Sequence, residues 1–146
     1  MHSKIRDIIT EKGNDVISVQ AGSLIDDVVR IMNDNKIGAV IVKEHDTVVG
    51  ILTERDLLKK LLAAHSDPSV VIAGDIMTDQ IVITTVDRTC EECMTVMLNH
   101  RVRHLPVYDG KELVGIISIG DIMRRLATDR TTEVEYLQEY IAGPFA

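Results

Sequence analysis

The chain is written twice, and that constrains its fold more than any other feature. Residues 35–61 read NKIGAVIVKEHDTVVGILTERDLLKKL and residues 100–126 read HRVRHLPVYDGKELVGIISIGDIMRRL. Gly50 and Gly115, Asp56 and Asp121, and Leu61 and Leu126 all stand 65 positions apart, with no gap between them. Upstream, Asp26 to Met32 aligns with Glu91 to Met97 at the same offset. Solenoid and propeller repeats recur every ~20–50 residues, so this period describes two domain-sized units rather than an array. Units of about 60 residues bury little surface alone, so the halves are expected to pack on each other. Two like units also make two like clefts, and clefts are where ligands bind.

Each copy reads as strand, helix, strand, strand, helix, an α/β (α+β) arrangement. The first strands fall at Asp15 to Val19 and Ile81 to Thr85. In the helix that follows, Leu24, Ile25, Val28, Val29 and Met32 form one apolar stripe, matched by Thr89, Cys90, Cys93, Met94 and Met97. Thr89 with Glu92 three residues on is a capping box opening the second-copy helix. The hairpins span Ile37 to Val42 with Val48 to Leu52, and Val102 to Tyr108 with Leu113 to Ile117. Asp109-Gly110 is a strong hairpin turn, and Glu44-His45-Asp46 a weaker one. The second helices carry Leu57, Leu58, Leu61 and Leu62 in one copy and Ile122, Met123 and Leu126 in the other.

Residues 4–62 and 75–127 are thus the two repeats, joined by a connector at 63–74 that contains the Asp67-Pro68 breaker. Asp75-Ile76-Met77-Thr78 leads into the second copy as Asp7-Ile8-Ile9-Thr10 does into the first, at an offset of 68. In the tail, 128–146, Thr132 and Glu135 cap a last helix with Val134, Leu137 and Ile141 as its stripe, ended by Gly143-Pro144.

Composition narrows the function. With 45% hydrophobic residues but one Phe, three Tyr and no Trp, the core must be aliphatic. A formal net charge of −7 argues against nucleic-acid and acidic-membrane partners, which need a basic surface. No apolar run approaches the ~18 residues of a membrane span, and MHSKIRD lacks the apolar stretch of a signal peptide, which points to the cytoplasm. Cys90-Glu91-Glu92-Cys93 spells C-x-x-C, but the two sulfurs align with Ile25 and Val28 on the apolar stripe, and a free cysteine behaves as a small hydrophobe. No second such pair completes a zinc site, and no catalytic constellation stands out, so neither metal nor enzyme activity is expected.

The doubled element Gly50-Ile51-Leu52-Thr53-Glu54-Arg55-Asp56 and Gly115-Ile116-Ile117-Ser118-Ile119-Gly120-Asp121 resembles the signature of cystathionine-beta-synthase (CBS) domains. Arg103-His104-Leu105-Pro106-Val107 and the Asp75-Ile76-Met77-Thr78 lead-in fit the same family, and the resemblance runs from about Lys4 to Leu126. The chain is similar to small stand-alone bacterial CBS-pair proteins, or Bateman modules. That likeness implies tandem CBS domains packed by pseudo-twofold symmetry plus a C-terminal helix, in a regulatory rather than catalytic protein. It implies binding of an adenine nucleotide (AMP, ADP, ATP, NAD or S-adenosylmethionine) as regulatory ligand in clefts between the repeats, with no required cofactor. It also implies a homodimer and a target protein that the sequence does not identify.

Carried over residue by residue, the resemblance puts ribose on Asp56 and Asp121, with Thr53 and Ser118 in support. The backbone around Gly38, Ala39 and Val40, and around His104 and Leu105, reads the adenine edge. Arg103 and His104 offer cations to phosphate in the second copy, where the first has Gly38 and Ala39 but carries Arg55 opposite Gly120. The chemistry is consistent, because a carboxylate at a helix start can accept from both ribose hydroxyls. A Ser or Thr followed three residues later by an acid is also an ordinary helix N-cap, and one arrangement can serve both roles. The pairs Lys59-Lys60 and Arg124-Arg125 read as solvated helix faces. The competing function is a dimeric scaffold or thiol-linked interaction module without a nucleotide.

Overall fold

Each copy builds a three-stranded sheet with one parallel and one antiparallel pairing, in a computed structural model that describes residues 2–13 and 15–129. In the first, β1 (Ser18–Gln20) runs parallel to β2 (Ala39–Glu44), which pairs antiparallel with β3 (Thr47–Thr53). The parallel crossover is α2 (Ile25–Asn35), whose Ile25, Val28 and Met32 are buried. After β3, a turn of α-helix, α3 (Glu54–Asp56), runs straight into a π-helix at Leu57–Leu62, and α4 (Ala73–Ile76) follows. In the second copy β4 (Thr84–Thr85) lies parallel to β5 (His104–Asp109), with α5 (Cys90–His100) as the crossover. Strand β5 pairs antiparallel with β6 (Glu112–Ser118), and α6 (Ile119–Asp129) follows. The expected α+β architecture is observed and each repeat keeps its order of strand, helix, strand, strand, helix, but the lead-in segments add helices at Ile5–Lys12 and Ala73–Ile76 that the sequence pattern did not predict. The expected C-terminal helix at Thr132 to Ile141 lies outside the described residues.

Register repeats as faithfully as sequence. Val42 faces Gly50 and Val107 faces Gly115, and each sheet is irregular just after that pair. The weak first turn closes because His45 takes a left-handed φ of 56° and its peptide groups are held by the Gln20 side-chain amide at 3.0 and 3.2 Å. The capping box at Thr89 forms as expected, each Thr89–Glu92 hydrogen bond being 3.1 Å.

Two features depart from the sequence pattern. The first strands are shorter than expected, because only Ser18–Gln20 and Thr84–Thr85 find a ladder. The four-leucine stripe of the first copy does not form either. Ala63 N–H donates to Leu58 O in the wider π-turn, Leu61 is buried, and Leu58 and Leu62 remain 60% and 63% exposed.

The compact units do not coincide with the sequence repeats. Among the described residues, 16–81 form one unit, and those before 16 join 82–129 in the other. The reason is where the lead-in segments dock. An N-terminal helix, α1 (Ile5–Lys12), puts Ile5, Ile8 and Ile9 into the second-copy core beside Cys90, Met97, Leu105 and Ile117. Correspondingly, Ala73 and Ile76 of α4 enter the first-copy core beside Ile25, Val28, Val40 and Leu52. The backbone bonds are equivalent. Cys90 N–H donates to Ser3 O (3.0 Å) and Ile5 N–H to Arg88 O (2.9 Å). In the other unit Ile25 N–H donates to Val71 O (2.9 Å) and Ala73 N–H to Ser23 O (2.8 Å). Each lead-in therefore completes the unit of the other repeat, whereas the sequence places 4–62 and 75–127 as the two blocks.

The lead-ins explain the signature glycines. A Cβ at Gly50 would fall 2.5 Å from Met77 Sδ and 2.9 Å from the Thr78 carbonyl oxygen, and one at Gly115 would fall 2.6 Å from Ile9 Cδ1. Gly50→Ala meets backbone and Gly115→Ala a side-chain tip that can turn. Urea unfolding should show Gly50→Ala losing about 1–3 kcal/mol and Gly115→Ala less, with Ile9→Val partly restoring only the latter.

Cys90 and Cys93 are buried free thiols, and Cys93 Sγ lies 3.1 Å from Thr84 Oγ1. Burial, reinforced by Glu91, pushes the Cys90 thiol up to about 12, and burial also raises Cys93. Both should react with iodoacetamide far more slowly than free cysteine at neutral pH. Because the unfolded chain ionises first, near pH ~8.5, this contribution to stability is complete below that pH and declines as pH climbs toward 12.

Candidate functional site

In both units the signature ends as a capping box. Thr53 opens α3: its Oγ1 accepts from Asp56 N–H at 3.3 Å, and Asp56 Oδ2 accepts from Thr53 N–H at 3.0 Å. Ser118 opens α6 likewise, with Asp121 N–H to Ser118 Oγ at 3.1 Å and Ser118 N–H to Asp121 Oδ2 at 2.8 Å. The first helical N–H is satisfied by the residue just before the paired strand in both: Glu54 N–H donates to Gly38 O, ahead of β2, and Ile119 N–H to Arg103 O, ahead of β5. Sheet register then sets Ala39 opposite Thr53 and His104 opposite Ser118. The structure thus brings Gly38, Ala39, Thr53 and Asp56 together in one unit, and Arg103, His104, Ser118 and Asp121 in the other. Val40 and Leu105 sit on the same strands with fully buried side chains, so they can offer a ligand only backbone. Arg55 and Arg103 are exposed.

Both carboxylates are enclosed: Asp56 is 6% exposed, and the Asp121 side chain 10%. Buried charge must be compensated, and each lead-in supplies a partner. Thr78 Oγ1 donates to Asp56 Oδ1 at 2.9 Å, and Lys60 Nζ is 3.1 Å from the same oxygen. Lys12, at the end of α1, donates to Asp121 Oδ2 and to the Ile116 carbonyl, each at 2.8 Å. Arg124 Nη2 donates to Asp121 Oδ1 at 2.7 Å. Burial alone would push Asp121 up, but Lys12 and the Ser118 backbone N–H outweigh it and leave the carboxyl below its usual range.

The sequence reading missed the groups that hold these carboxylates. Lys60 and Arg124 belong to pairs read as solvated helix faces, yet each turns back onto the aspartate four or three residues before it. That spacing was the available signal. A Cβ at Gly120 would lie 3.3 Å from Arg124 Nη1, a close approach at the tip of a flexible side chain, and the first copy carries Arg55 at the matching position. Lys12 and Thr78 gave no local signal, since Lys12 is 109 residues from its partner.

The CBS-domain family model matches residues 5–63 and 73–128, most of the chain and both copies. This chain is a member of the CBS-domain family. It is 32% identical over 124 residues to the mitochondrial CBS domain-containing protein CBSX3 of Arabidopsis thaliana, covering 82% of this chain and spanning only 60% of that protein. The solved structure of a putative signal-transduction protein with CBS domains from Burkholderia ambifaria superposes with a TM-score of 0.84 at 31% identity, covering 88% of this chain and 96% of that one. A hexameric CBS-CP12 protein from bloom-forming cyanobacteria gives 0.74 at 29% identity, covering 84% and 67%. CBS-domain proteins are generally regulatory modules and typically non-catalytic, and this chain carries a pair of such domains. Among the described residues, no helix is long and apolar enough to cross a membrane.

A depressed carboxylate stabilises the fold above its unfolded pKa of ~3.9 and loses that contribution as pH falls through the lower folded value. Acid titration of stability should therefore show a drop below about pH 4 that is shallower in Asp121→Asn, whose neutral amide releases Lys12.

Proposed function

We propose that the chain is a non-catalytic sensor of adenine nucleotides, with ribose hydroxyls on Asp121 and Asp56, and that the ligand shifts an equilibrium read by a target protein. The observation that carries this is the duplicated site itself. Each unit holds an enclosed carboxylate beside a hydroxyl, with strand backbone at Ala39 or His104 across the ladder to meet a base. Capping alone would be served by an exposed carboxylate, as it is at Thr89–Glu92. Enclosure of Asp56 and Asp121 costs desolvation, and a ligand role accounts for it.

Phosphate would be met by Arg103 and His104 in the second copy and by Arg55 in the first. A homodimer of about 32 kDa, twice the 16.2 kDa chain, fits the preference of soluble proteins for twofold assembly, and the hexameric CBS-CP12 protein supports self-association. Burial of both Cys90 and Cys93 weighs against the thiol-linked form of the scaffold alternative.

A thermal melt with AMP, ADP, ATP, NAD, NADH and S-adenosylmethionine at millimolar concentration tests the proposal. A ligand at 100 times its dissociation constant adds about 2.7 kcal/mol, a rise of several degrees. Arg103→Ala should then weaken nucleotide binding about tenfold in calorimetric titration, as expected for loss of a charged donor. Six ligands that leave the melt unmoved would refute the sensor.

A further inference from the structure

The Asp121 carboxylate is already spoken for. A carboxylate offers about four acceptor positions, two on each oxygen. Oδ2 receives Ser118 N–H at 2.8 Å and Lys12 Nζ at 2.8 Å, while Oδ1 receives Arg124 at 2.7 Å. The Ser118 N–H is fixed by backbone at the start of α6, and Arg124, 68% exposed, occupies one position of Oδ1 and leaves the other. Two vicinal hydroxyls donating one bond to each oxygen therefore need the Oδ2 position that Lys12 holds.

We propose that Lys12 is a competitive latch: ribose hydroxyls reach Asp121 only by displacing the Lys12 ammonium, so ligand binding is coupled to the last turn of α1. This rests on the nucleotide reading of the site and adds its regulation. Geometry supports the coupling. Lys12 is the last residue of α1, and Gly13 follows with a φ of 87°. Apolar burial holds the earlier turns at Ile5, Ile8 and Ile9, whereas Lys12 is 44% exposed and anchored by Asp121 and the Ile116 carbonyl. Removing the latch frees the end of the helix without emptying the core. Among the described residues the first copy shows no equivalent ion pair from its lead-in: there Thr78 contributes a hydroxyl and Lys60 comes from the adjoining helix. The two sites are therefore gated unequally.

Adenosine is the discriminating probe, because it carries the ribose without a phosphate that Lys12 could attract. Calorimetric titration of the full chain should show Lys12→Met binding adenosine about tenfold tighter than wild type, the size expected when a charge-assisted competitor is lost. The gain should vanish in the Lys12→Met/Asp121→Ala double variant. Hydrogen exchange gives a second reading on unmutated protein: AMP should accelerate exchange of the Gly13 amide, which donates to Ile9 O at 2.9 Å. Adenosine affinity that is equal or weaker in Lys12→Met, with Gly13 exchange unchanged or slowed, overturns the latch and leaves the sensor standing. Binding by Lys12→Met alone supports the latch directly. Failure of both proteins to bind adenosine or AMP removes the site and the latch together.

Discussion

The docking of each lead-in segment onto the other repeat is the constraint on which the rest of the structure depends. Four backbone bonds of 2.8–3.0 Å, two per unit, fix Ser3 and Ile5 beside the start of α5, and Val71 and Ala73 beside the start of α2. They satisfy N–H groups that a helix start would otherwise leave unpaired, so the lead-ins finish the helices as much as they cover them. Everything nearby inherits that placement. Met77 and Thr78 press on β3 closely enough to demand Gly50, Ile9 presses on β6 closely enough to favour Gly115, and Lys12 and Thr78 come within reach of the two aspartates.

Those aspartates link the fold to the proposed function. A capping residue is worth ~1 kcal/mol, and an exposed ion pair little more than nothing. An enclosed carboxylate has higher stakes, because removing one partner leaves an uncompensated charge. Asp121, held by Ser118, Lys12 and Arg124, and Asp56, held by Thr53, Thr78 and Lys60, are therefore stable without ligand. A ribose holding both oxygens of either carboxylate must therefore displace at least one of these bonds. Binding by exchange is how a small ligand gains leverage over a segment such as α1, since only a difference in interaction between two states can shift their balance.

The duplication is not perfect, and the differences cluster after the signature. Where the second copy continues as a regular helix past Asp121, the first passes from α3 into a π-helix that leaves Leu58 and Leu62 exposed. The cation from the following helix is Lys60 for Asp56, four residues on, and Arg124 for Asp121, three residues on. Single-turn π geometry is frequent at functional sites, where it re-aims side chains that an α-helix would place elsewhere.

The sequence alone determined the repeat, the order of elements, the hairpins and the pairing of a hydroxyl with an acid at the start of each second helix. These are local: periodicity, turn chemistry and capping act over a few residues, and a 65-residue offset repeats them unchanged. It also placed Cys90 and Cys93 in the core, because register against Ile25 and Val28 carries burial with it. Only the tertiary structure decided which lead-in belongs to which core, because 7–10 and 75–78 are alike in sequence and either could serve either sheet. The partners of the carboxylates followed from that choice. Lys12 lies 109 residues from Asp121, and no pattern confined to neighbouring residues can show that an ammonium will end beside a distant carboxylate. The exposed leucines had the same origin: their spacing fits an α-helix, and the chain turns there as a π-helix.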